Sequence, residues 1–297
     1  MSYYNLLTRT GNGEHPLVLN YHGIDAKPPI PNCTSPRFRH RHRTTIGTPD
    51  RIPPIMSFFR LLRLAFPGVE NRVLAAITAI AALVLTFALL ASEVVEGETQ
   101  TFDERMLLLF RAPTDHSVPI GPPWLKEAMR DITALGSTSV LAIVVATVVG
   151  FLAVSRLRRT AVMVLASVLL GVALSNALKW GFARARPEFI PHDMVDYTAS
   201  FPSGHTTLSA VVYLTLGALL CRMQAAATVK IYILSVAVFL TASVGISRVY
   251  LGVHWPTDVI AGWLIGSAWA FVCASVMIWL QRRGEVEPEQ PAARGGA

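Results

Sequence analysis

The sequence predicts an all-α integral membrane protein, a six-helix bundle with two short interfacial helices on its outer face. Three observations lead there. Of its 297 residues, 52% are hydrophobic and only 15% are charged, whereas a soluble domain carries about 25% charged residues. Six long apolar runs contain no charged residue. The arginines and lysines gather in alternate connections between those runs, so the net charge of +7 fits membrane orientation better than nucleic-acid binding.

Residues 1–55 show neither helical nor strand periodicity and hold eight prolines and the basic run Arg37-Phe38-Arg39-His40-Arg41-His42-Arg43. Such a segment buries too little apolar surface to offset its ordering entropy, so 1–71 is expected to be a disordered basic segment. It lacks the apolar core of a signal peptide. Met56-Ser57-Phe58-Phe59-Arg60 reads as the more sensible start, so translation is expected to begin at Met56; native peptides upstream of Met56 would overturn this.

The membrane domain is expected over 72–281. Its runs are Val73–Ser92, Ser139–Val154, Thr160–Leu178, Thr206–Leu220, Ile231–Ser247 and Val259–Leu280. Most approach the ~20 residues a helix needs to cross the hydrocarbon; the second and fourth are short. Buried helices of a soluble protein would show polar stripes at 3.6-residue spacing, and these runs are apolar all round. Residues 282–297 are expected to form a disordered tail.

Arg60, Arg63 and Arg72 precede the first run, and Arg156, Arg158 and Arg159 join the second to the third. Arg222 and Lys230 join the fourth to the fifth, and Arg282 and Arg283 follow the sixth. If six spans alternate, all of these fall on one side, the cytoplasm by the positive-inside rule, with both termini there. The outer loop 93–131 carries eight acids against four bases. Within it Thr101-Phe102-Asp103-Glu104 reads as a capping box opening a short helix. Trp124, Leu125, Ala128, Met129, Ile132 and Leu135 form the apolar stripe of a second, expected to serve packing rather than binding.

The two remaining outer connections hold three polar pieces: Lys179 with Arg186-Pro187, then Pro202-Ser203-Gly204-His205, then Ser247-Arg248 with His254 and Asp258. Polar groups crowded at the ends of membrane spans are costly and point to function. Between His205 and Ser247 lie 41 residues, two crossings at ~20 residues each, so both histidines reach the same face. Lys179, Arg186 and Arg248 offer three cations suited to phosphate. Any one alone reads as a snorkelling anchor; together with two histidines on the outer side they read as a site. Ser203 and Gly204 precede a helix whose N-terminus favours an anion, and Gly204 permits close approach. His254 is the candidate nucleophile, with Asp258 holding its ring and also suited to the first helical turn. His205 is the candidate acid–base. Glu188, Asp193, Asp196 and Asp258 are too scattered for a two-metal site. Cys33, Cys221 and Cys273 show no metal spacing and read as free thiols.

These three pieces resemble the signature of the type 2 phosphatidic acid phosphatases, a superfamily that includes the vanadium-dependent haloperoxidases; the likeness covers roughly residues 100–280. It implies a metal-independent phosphatase or pyrophosphatase acting on membrane lipids through a phosphohistidine, without cofactor. His254 would be the nucleophile, Asp258 its partner and His205 the acid–base, with Lys179, Arg186, Ser203, Gly204 and Arg248 holding the phosphate. The expected setting is a bacterial-type plasma membrane with the site on the extracytoplasmic face. Expected substrates are phosphatidic acid, phosphatidylglycerol phosphate or a polyprenyl pyrophosphate, with Arg184 a further cation that would favour the last. A vanadate-dependent haloperoxidase and a non-catalytic lipid-binding membrane protein are the alternatives; no obligate protein partner or nucleic acid is expected.

Overall fold

The computed structural model describes residues 71–187 and 199–287. The basic N-terminal run, Met56, Cys33, Glu188, Asp193, Asp196 and residues 288–297 lie outside the described residues.

Among the described residues the chain forms eight helices: α1 (Asn71–Glu96), α2 (Gln100–Leu108), α3 (Pro123–Ala134), α4 (Thr138–Val154), α5 (Arg158–Gly181), α6 (Gly204–Arg222), α7 (Ala227–Tyr250) and α8 (Pro256–Arg282). α1, α5, α6, α7 and α8 are each long and apolar enough to cross a membrane. The second expected span differs: α4 has 17 residues and meets α3 at a bend of 46°, and the crossings number six where this bent pair counts as one span. The helix restarts at the bend because Ser137 caps α4, its side chain accepting from Val140 N at 3.3 Å. The protein is thus an all-α membrane bundle of five to six spans.

α6 is the central helix and packs against α4, α5, α7 and α8. Its contact with α8 is close. A Cβ on Gly266 would lie 2.6 Å from Ala210 Cβ, and one on Gly262 would lie 3.1 Å from the Ser203 carbonyl oxygen. Lipid tails are as apolar as leucine, so small residues that let backbones approach are what hold membrane helices together.

α2 and α3 occupy the connection from α1 to α4, as expected, with two departures. The capping box is not formed: α2 begins at Gln100 behind Thr99, which makes no side-chain cap. Asp103 turns inward and is fully buried, and Glu104 accepts from Gln100 Nε2 at 2.7 Å. Between the helices a small antiparallel hairpin also forms, β1 (Arg111–Ala112) with β2 (Asp115–Pro119). Its arginine reaches the end of α7: Arg111 Nη2 donates to the Tyr250 carbonyl at 2.9 Å. The guanidinium lies against Gly252, where an added Cβ would fall 2.1 Å from Nη2. Gly252 also has φ of 76°, in the left-handed region that glycine adopts most readily. The α3 stripe serves packing, with Leu125 and Met129 covering Tyr250, Leu251 and Val253; Trp124 is its exposed member.

At the opposite end, the start of the expected tail folds back. Glu287 accepts from the backbone N–H of Arg159 and of Thr160, each at 2.9 Å, and Val286 is buried. The carboxylate satisfies first-turn N–H groups of α5 that have no intrahelical acceptor. Cys221 and Cys273 are buried free thiols.

Candidate active site

The close approach of α6 and α8 sets the site. Ser203 N donates to the Asp258 carbonyl at 3.0 Å, fastening the start of α6 to the first turn of α8. Ser203 is therefore fully buried, and its amide is spent on this link rather than offered to an anion. Its Oγ accepts from Thr206 Oγ1 at 3.0 Å. α5 ends at the same place: a Cβ on Gly204 would lie 3.3 Å from Lys179 Nζ, so the absent side chain is what lets the ammonium reach the N-terminus of α6. His205 follows on the first turn of α6, partly buried. It packs beside the α3–α4 bend, where a Cβ on Gly136 would be 3.4 Å from His205 Cβ.

His254 sits in the loop between α7 and α8 and is 1% exposed. Nδ1 lies 3.4 Å from Asp258 Oδ2 and 3.3 Å from Ser200 Oγ. Ser200 Oγ donates to the same carboxylate oxygen of Asp258. On the other edge of the ring, Arg186 Nη1 is 3.4 Å from Nε2 and donates to the Val253 carbonyl at 3.1 Å. A carboxylate at Nδ1 and a guanidinium at Nε2 assign the proton to Nδ1 and the lone pair to Nε2. Burial is the main cause holding the His254 pKa down at about 4; the Arg248 and Arg186 charges act the same way, and Asp258 opposes them. The ring is thus a neutral base at ordinary pH. Arg248, in the last turn of α7, is buried, and its carbonyl accepts from Val253 N at 3.2 Å. Asp258 also caps α8, accepting from Trp255 N at 2.9 Å, so it serves helix and histidine together.

Arg184, expected as a further cation, is engaged by two carboxylates in the structure. Its Nη1 donates to Asp258 Oδ1 at 2.7 Å and its Nη2 to Asp103 Oδ2 at 2.6 Å, so both ends of its fork are held by carboxylates behind the histidine. Ser200, Asp103 and Thr257 join the candidate site although none belongs to the three polar pieces of the sequence. Asp103 accepts from Thr257 N at 2.9 Å and Oγ1 at 2.6 Å, a partner 154 residues away in the chain. No local pattern marks such a pair; the one hint was an acid in the first turn of an outer helix.

The family model of the PAP2 superfamily matches residues 160–282, a span containing every site residue expected from the sequence. Phosphatidylglycerophosphatase B of Bacillus subtilis (strain 168) is 32% identical over 185 residues, 62% of this chain and 87% of that protein. An undecaprenyl-diphosphatase of Sulfolobus acidocaldarius is 30% identical over 128 residues, 41% of this chain and 57% of that protein. Among solved structures, a transmembrane PAP2 type phosphatidylglycerolphosphate phosphatase from Bacillus subtilis has a TM-score of 0.60 at 29% identity, covering 68% of this chain and 98% of that one. Membrane helices, the motif residues at their ends and these relatives agree: the chain belongs to the PAP2 superfamily and is a multi-pass membrane phosphatase of that family.

Proposed function

We propose that this protein hydrolyses a phosphomonoester or pyrophosphate of a membrane lipid at the extracytoplasmic face of the plasma membrane, through a phosphohistidine on His254. The observation that carries the reading is the state of that ring: buried, neutral, held at Nδ1 by Asp258 and bordered at Nε2 by a guanidinium suited to a phosphate oxygen.

Nε2 attacks phosphorus and the bond to the leaving oxygen breaks as the N–P bond forms. Asp258 stabilises the positive charge that then appears on the imidazole. His205 gives its proton to the leaving oxygen. It then takes one from water, which attacks phosphorus, breaks the N–P bond and releases inorganic phosphate. Lys179, Arg186 and Arg248 balance the phosphoryl oxygens as charge moves onto them, and the Ser203 hydroxyl still has its own proton to donate. These cations supply the charge stabilisation that a metal provides elsewhere.

A lipid substrate is supported by the relatives, whose names concern phosphatidylglycerophosphate and undecaprenyl diphosphate, and by an apolar groove of about 630 Å³ between α4, α5 and α6. Leu208 and Val212, on α6 beyond His205, line it together with Ala146 and Leu165. A head group at His254 could thus leave its tails in the bilayer. Phosphate release from phosphatidic acid, phosphatidylglycerol phosphate and a polyprenyl pyrophosphate, with and without chelator, tests the reading. Release from at least one of them, undiminished by chelator, is expected; no release from any, or loss on chelation, would contradict it.

A further inference from the structure

We propose that Asp103 and Arg184 are positioning residues for the nucleophile, so that the outer helix α2 sets the geometry of His254 through a chain of buried ion pairs; this rests on the reading of His254 given above. Asp258 must present one oxygen to Nδ1 of His254, and a carboxylate on a flexible χ2 has no preference for which way it turns. The structure supplies one. Oδ1 is taken by Arg184 Nη1 at 2.7 Å, which leaves Oδ2 for His254, the Ser200 hydroxyl and the Trp255 amide. Arg184 is fixed in turn by Asp103 Oδ2 at 2.6 Å and by Thr257 Oγ1 at 2.8 Å. Asp103 itself, fully buried, holds the first turn of α8 through the Thr257 amide and hydroxyl.

Charge gives the arrangement a sign. Arg184 lies between two carboxylates, so the group as a whole stays net negative beside the imidazole. Without Asp103, Arg184 would be balanced by Asp258 alone, and that carboxylate would hold a developing imidazolium less well. Only a planar fork bridges two carboxylates this way, so lysine is no substitute. The other charged groups facing His254 are Asp258 on α8, Arg186 in the segment after α5 and Arg248 on α7.

The test is a cycle of Asp103→Asn, Arg184→Gln and the double variant, assayed in detergent beside His254→Asn, with folding checked by gel filtration and thermal unfolding. Each single variant is expected to lower kcat roughly 10- to 100-fold, the scale for losing a residue that orients a reactive group, with KM changed much less. The acid limb of kcat/KM should move to lower pH in Asp103→Asn and to higher pH in Arg184→Gln. The double variant, having lost both charges, should return the limb toward the parent. Folded single variants with parental kcat, or limbs that do not move in opposite directions, would overturn the proposal while His254→Asn stays inactive. Activity in His254→Asn would instead overturn the nucleophile assignment on which it rests.

Discussion

In the proposed mechanism His254 is the nucleophile because it is kept both neutral and oriented. Its pKa of about 4 arises first from burial and then from the Arg248 and Arg186 charges. A depressed histidine pKa means the free base persists as pH falls through the usual histidine range, so the acid limb of kcat/KM should lie near pH 4 rather than near 6.5, once the ionisation of the substrate phosphate is accounted for. Arg186→Gln should lower activity and also raise that limb, since a charge opposing the imidazolium is gone; a limb that stays put or falls would contradict the assignment. His254→Asn should lose about 10³-fold or more in kcat, as removal of a nucleophile does. At this scale the motif residues were legible in the sequence, because span-length arithmetic alone delivers His205 and His254 to one face. Ser200, Arg184 and Asp103 were not, since their roles come from contacts that only folding creates; Arg184 and Asp103 lie 81 positions apart.

Elements place these residues. The link from Ser203 N to the Asp258 carbonyl needs α6 and α8 nearly in backbone contact, which Gly262 and Gly266 permit. Gly266→Val would put a methyl-bearing carbon 2.8 Å from the Thr207 carbonyl oxygen, atoms that cannot swing aside. The expected result is a loss of stability of about 1–3 kcal/mol, typical of overpacking, with activity falling in the fraction that stays folded; thermal unfolding in detergent and kcat on the purified fraction check both. Ala146→Trp should fill the groove between α4, α5 and α6 and raise KM for a long-chain lipid phosphate several-fold. A short-chain soluble phosphate should be affected much less, and equal effects on the two would count against the groove as the place for tails. The long helices were legible from their uncharged runs. The hairpin was not, because β1 is two residues long and has no period to read. The expected capping box does not form because the helix starts earlier, at Gln100 behind Thr99, which puts Thr101 inside its first turn.

The described helices hold the candidate site at one end and a cluster of arginines with the C-terminal turn at the other. Arg159 meets Gly284 and Glu285 there, and Arg222 bonds Gln281, while Lys179, His205, Arg248 and His254 sit at the other end. By the positive-inside rule we propose that the end holding the candidate site faces outward. In right-side-out vesicles carrying Cys33→Ser, a membrane-impermeant thiol reagent should label Val118→Cys directly and Arg156→Cys only after permeabilisation; the reverse pattern would invert the topology. The measurement that bears most directly on the account is capture of the covalent intermediate. His205→Asn, lacking both the acid for the leaving oxygen and the base for water, should accumulate phosphate on a histidine when mixed with a labelled phosphate ester whose leaving group departs without protonation and quenched in alkali. Peptide mass spectrometry should place that phosphate on His254. A phosphoryl group on any other residue, or none under conditions where the leaving group is released, would contradict it.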